Sequence, residues 1–220
     1  MTLREFYTGV KEKTGDMSFS MMWEIKDLSS LCYYLSLVQL PEELLDEVGF
    51  IKNKKEFDEV FENFDPRKIL HHGQYLSQLN YVLDYFVPEK ITPYKKLTQT
   101  VFQTAKMLSK YRSADEFISE VNKEFSEKDD KKTFEFLNSF RLKYALPSMF
   151  FNTACYFFSK TGILDIPYLN QSIKNTLFKE LVVDEDNYAC FHLLSLIIKI
   201  SNDCGYEVSQ RIEAYKGQTC

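Results

Sequence analysis

Apolar residues recur along this chain three and four positions apart, the interval that gathers them on one side of an α-helix. No stretch alternates apolar with polar in the way a half-buried strand does. Leu3, Phe6, Tyr7 and Val10 predict a short amphipathic helix, ended around Gly15, that reads as a packing arm. From Trp23 to Leu40 the chain is apolar with few charges. Pro41-Glu42-Glu43 then puts proline first and acids in an opening turn, where the helix dipole favours them, and predicts a helix to about Val48. Phe57, Val60, Phe61 and Phe64 repeat the pattern over residues 52–64. Asp65-Pro66 reads as an N-cap and first helical position, for a helix to about Phe86 with Ile69, His72, Leu76, Leu79 and Leu83 along one side. Thr92-Pro93 gives the same signal for a helix carrying Leu97, Val101, Ala105 and Leu108.

Ser113-Ala114-Asp115-Glu116 fits the capping box, in which serine and glutamate satisfy each other's backbone donors, ahead of Phe117, Val121 and Phe125. Charged residues 126–132 predict a loop, and Phe134, Leu137, Phe140 and Leu142 a helix beyond it. Asp184-Glu185-Asp186 precedes an apolar segment over 188–200, Gly205 marks its stop, and residues 207–215 predict one last short helix. The expectation is an all-α protein. With no internal repeat and no low-complexity linker, residues 1–220 are expected to make one compact unit, not two flexibly joined domains.

Composition supports this. At 220 residues, 45% hydrophobic and 15% aromatic, the chain is long enough to bury a sizeable core, and seven Gly and six Pro leave little material for turns. No apolar run approaches the roughly twenty residues needed to cross a bilayer, and the first residues lack the apolar segment of a signal peptide. A soluble, cytoplasmic protein with no membrane partner is expected. Cys32, Cys155, Cys190, Cys204 and Cys220 are odd in number and widely spaced, which favours reduced thiols used as small apolar residues over zinc or disulfides.

The net charge of −5 repels phosphate overall, so a nucleic-acid partner has to be met by a local basic patch. Two patches qualify. Lys52, Lys54 and Lys55 form one, diluted by Glu56, Asp58 and Glu59; Lys90, Lys95 and Lys96 form the other, supported by Lys106, Lys110 and Arg112 and interleaved with Tyr94 and Tyr111. Such a mixture can track phosphates and stack bases, although it more often is a solvated helix face. His71 and His72 are adjacent, so on a helix they point about 100° apart and cannot chelate as an i, i+4 pair does. Neither a phosphate-binding glycine loop nor a nucleophile triad can be assembled, and no metal or cofactor is expected.

Residues 146–174, LPSMFFNTACYFFSKTGILDIPYLNQSIK, carry the most specific signal. Leu146, Pro147, Thr153 and Ala154 keep the frame of a Leu-Pro-Gly-x-Gly hairpin running into x-Lys-Thr-Ala, and Leu169-Asn170-Gln171-Ser172-Ile173 stands where a Val-Asp-x-His segment follows. In this frame the chain resembles the helix-hairpin-helix DNA glycosylases over roughly residues 134–217, with the hairpin-equivalent region at 140–175. The resemblance implies a two-lobed helical fold, DNA as partner and a repair context. It places the family's catalytic aspartate at Asn170 and its Schiff-base lysine at Asn152, eighteen positions apart as in the family. Hairpin contacts to DNA fall on Ser148, Phe150 and Asn152.

Asparagine carries no charge and takes no proton, so the resemblance implies a protein with impaired base excision. Asp165 is the nearest spare carboxylate, although a solvated loop acid is its simpler reading. The hairpin glycines that bring backbone amides close to phosphate are Ser148 and Phe150 here, and phenylalanine resists the left-handed conformation. Either the hairpin is remodelled or turned inward, or Pro147 and Ser148 simply start a helix whose Phe150, Phe151, Phe157 and Phe158 are core; the second is preferred. Two functions are therefore expected in competition: a DNA-associated, glycosylase-like protein without excision activity, and an acidic module that reuses the scaffold for a protein partner. A positive stripe facing the cleft between Pro147 and Asn170 favours the first, and an acidic or apolar cleft the second.

Overall fold

The computed structural model describes residues 23–72, 88–125, 129–164, 166, 188–189, 191–192 and 195–196. Among them there are helices and no strand, so the protein is all-α. The helices are α1 (Leu28–Val38), α2 (Glu42–Glu47), α3 (Lys54–Val60), α4 (66–72), α5 (Pro88–Leu108), α6 (Ala114–Glu124), α7 (Asp130–Lys143) and α8 (Phe151–Thr161), with helical backbone again within 188–196. None is both long and apolar enough to cross a membrane among the described residues. The helices expected near residue 10 and beyond residue 205, and the far half of the one expected to Phe86, fall outside the described residues.

The start signals act through side-chain oxygens that take up the first orphaned N–H groups. Asp27 Oδ1 accepts from Ser30 N at 2.7 Å while Ser30 Oγ accepts from Asp27 N at 3.0 Å, a complete capping box on α1. Asp65 Oδ1 accepts from Arg67 N at 3.0 Å to open α4, as expected. On α6 the box is displaced by one residue. Ser113 Oγ accepts from Glu116 N at 3.2 Å, but Glu116 Oε2 reaches past Ser113 to Arg112 N at 2.6 Å.

Three expectations are corrected. Thr92-Pro93 does not open a helix: α5 already begins at Pro88 and carries Pro93 inside it. The loop expected over 126–132 is shorter, since Asp129 caps α7 through Lys132 N at 3.1 Å and the helix starts at Asp130. Residues 52–64 do not form one helix. α3 stops at Val60, and Glu62, Asn63 and Phe64 follow with φ of 51°, 54° and 59°, a left-handed turn. That turn drives Phe64 into a ring cluster with Tyr33 (5.1 Å), Phe61 (5.4 Å) and Phe50 (5.9 Å), whereas Val60 is left 59% exposed.

The chain divides into two compact units. One comprises Glu24–Lys123 and Ser139–Thr153. Within it α1 lies along α5, which buries Leu97, Val101, Ala105 and Leu108 as the spacing predicts, and Phe117, Tyr144 and Phe140 pack ring against ring. Cys32 is buried here with a free thiol, and burial pushes its pKa up. The other unit comprises Glu124–Asn138 and the described residues from Ala154 on, with Trp23. Trp23 N donates to Lys160 O at 2.9 Å, Phe134 meets Tyr188 and Phe191, and His192 Nδ1 lies 2.8 Å from Asp130 Oδ2. Free, buried Cys155 lies in this unit, its pKa also raised by burial.

Candidate nucleic-acid interface

Helices α7 and α8 bracket Pro147, and the seven residues between them determine what this corner presents. α7 ends in a Schellman motif: Leu146 N donates to Arg141 O at 3.0 Å and Ala145 N to Leu142 O at 3.4 Å, with Ala145 at φ +53°. The left-handed position is thus Ala145, and neither Ser148 nor Phe150 has positive φ. Leu146 and Met149 are fully buried and anchor the segment, and Met149 N donates to Leu146 O at 3.0 Å. Pro147 and Phe150, on either side of half-buried Ser148, are exposed.

The helix expected to start at Pro147 and Ser148 begins at Phe151; Phe157 and Phe158 are core, as expected, but Phe151 is only half-buried and Phe150 stands 56% exposed with the Arg141 guanidinium 4.7 Å from its ring centroid. Leu142, also expected to face inward, is 74% exposed. Leu142 lies two positions past buried Phe140, about 200° round α7 and so on its solvent face, and beyond the left-handed Ala145 the buried residues are Leu146 and Met149.

A groove of about 690 Å³ opens beside this corner, within the range of small-ligand sites. Pro147, Ser148, Phe150 and Thr153 form one wall, Lys96, Gln99, Thr100 and Gln103 of α5 another, and residues 38–41 at the end of α1 the rest. Gln39, only 6% exposed, is fixed by its amide nitrogen, which donates to Leu35 O at 2.8 Å and to Thr104 Oγ1 at 3.0 Å. Thr104 Oγ1 in turn donates to Thr100 O at 2.8 Å, so the threonine has to accept from Gln39 and the amide orientation is determined. Among the described residues no donor reaches Gln39 Oε1.

The groove lining contains no carboxylate. The wall on α5 continues an exposed face, Lys96, Gln99, Gln103 and Lys106, with Lys110 just past the helix end, and Lys96, Lys106 and Lys110 make no ion pair among the described residues. The chain holds 32 Asp and Glu, yet none falls between Glu89 and Asp115. That gap is the signal by which the face could have been found from sequence, and it singles out the second basic patch. Lys54 of the first patch is held by Asp58 at 2.6 Å.

Of the residues named from the hairpin frame, Ser148 and Phe150 line the groove and Asn152 is exposed on the first turn of α8 without lining it. Asp165 and Asn170 lie outside the described residues. His71 and His72 stand edge to face, and His72 Nε2 is 3.5 Å from Glu62. A second cavity of about 300 Å³ lies where α1, α4 and α6 begin, with Lys26, Arg67 and Arg112 on its wall. Asp27, Asp65 and Asp115 share that wall, two of them as helix caps, so its charges balance. No family model matches the chain, and neither a curated protein nor a solved structure matches it.

Proposed function

We propose that this chain is a glycosylase-like DNA-binding protein that frees no base, and that it holds nucleic acid along the exposed face of α5 and the groove beside Pro147. The observation that carries the reading is the carboxylate-free groove joining the Ser148–Phe150 corner to Lys96, Gln99 and Gln103 in an otherwise acidic chain. Electrostatics supports the first of the two competing functions. A protein partner fitted to an acidic module would meet carboxylates or a broad apolar surface, whereas this wall offers amides and the Lys96 ammonium group, which makes no ion pair among the described residues; these suit phosphate oxygens and base edges. The absence of excision follows from Asn170, which offers neither charge nor a proton acceptor where the resemblance requires a carboxylate.

The test is a titration of the full chain against duplex DNA, undamaged and carrying alkylated or oxidised bases, across a range of salt. Binding at low salt that weakens linearly on a log–log plot, with no base released, is the expected result. No binding even at low salt assigns the scaffold to a protein partner instead.

A further inference from the structure

Resting on that reading, we infer that the groove takes an unpaired nucleotide, its base stacked on Phe150 and hydrogen-bonded by Gln39, so that the protein prefers single-stranded over duplex nucleic acid. Three observations lead here. Phe150 is a large ring left 56% exposed at the groove wall, and the Arg141 guanidinium 4.7 Å from its centroid supports it. A rigid, exposed ring is a stacking platform for any base, because every base has a π-face. Within a duplex those faces are already occupied by neighbouring pairs, so the ring is of use only to a base that has left the stack.

The second observation is Gln39. Gln39 is largely buried, its nitrogen is committed to Leu35 O and Thr104 Oγ1, and its Oε1, which no described donor reaches, is not sealed from solvent. Held in place by its nitrogen on the groove wall, it offers a fixed acceptor to a donor that displaces water. The imino N–H of an unpaired guanine or thymine is a suitable donor, and in a duplex it is paired to the opposite strand. Third, Lys96, Gln99 and Gln103 lie on the facing wall with no carboxylate among the lining residues, which suits the phosphate and open base edges of one strand.

The experiment measures binding of the full chain, by fluorescence anisotropy at low and moderate salt, to a labelled twelve-nucleotide DNA strand, to the same strand as RNA and to its blunt DNA duplex. Tighter binding of either single strand than of the duplex, by about tenfold or more, is expected. Phe150→Ala should weaken single-strand binding about tenfold, while Phe150→Tyr, which keeps the ring, should restore it. Because Phe150 is largely exposed, the unfolding midpoint of both variants should stay that of the parent. Equal binding of strand and duplex, or indifference to Phe150→Ala, overturns the inference and leaves nucleic-acid binding standing. Absence of binding to all three probes overturns both.

Discussion

At residue scale the protein repeats one motif with two different residues. α2 and α7 both end in a Schellman turn, α2 with Gly49 at φ +66° and α7 with Ala145 at φ +53°. A Cβ strains the left-handed conformation, so Ala145→Gly should stabilise the fold by about 0.5–1 kcal/mol, read as a higher denaturant midpoint with unchanged slope. The converse change is worse. A Cβ on Gly49 would come 2.8 Å from Asn53 Nδ2, and Gly49→Ala should lower the midpoint. Tyr33 supplies a pH dependence. Burial foremost, then the charges of Tyr34 and Asp58, push its hydroxyl from the usual 10.0 up to about 12. The folded state therefore keeps a proton that the unfolded chain gives up: the stabilisation is fully present below about pH 10 and is lost as pH rises through about 12. Denaturant midpoints measured over that window should fall less steeply in Tyr33→Phe than in the parent.

At the scale of the element, α5 carries the functional argument. Its inner face is fixed by packing: Leu97, Val101, Ala105 and Leu108 are buried, and Thr104 accepts from Gln39 and donates to Thr100 O. The outer face does no such work and is free to be specified by a ligand. Replacing Lys96, Lys106 and Lys110 together by Gln should therefore leave thermal stability nearly unchanged, while the log–log salt slope of nucleic-acid binding falls by about 2–3. The same three changes made as Lys→Arg should keep the slope. An unaltered slope in the Gln variant would place the contact elsewhere on the chain.

At the scale of the whole molecule, the proposed lack of excision is a separate matter from binding. Asn170→Asp, assayed on DNA carrying alkylated and oxidised bases beside the parent, should release some damaged base if the carboxylate is the missing group, since one such group is typically worth on the order of 10² to 10⁴ in rate. Release by the unaltered protein would refute the assignment and make Asp165→Asn the next variant to test. Silence in the variant together with retained binding would mean that the corner at Ser148 and Phe150 no longer holds a duplex in a reactive position.

What the sequence determined by itself is local, because the forces that set it act over one helical turn. Spacing of apolar residues marked Leu97, Val101, Phe117 and Leu137 as core, and Asp65-Pro66 and Ser113 as starts, since a cap and a buried stripe need only neighbours three and four positions away. The all-α class followed. Tertiary structure alone decided how segments distant in sequence share space. Gln39 lies beside Thr104, sixty-five positions on, and only that meeting turns a helix end into a groove wall. Phe150, an apolar residue in an apolar run, reads as core, yet beyond the left-handed turn at Ala145 it is Leu146 and Met149 that are buried. Packing, not hydrophobicity alone, chose among them, because a buried position holds only one side chain.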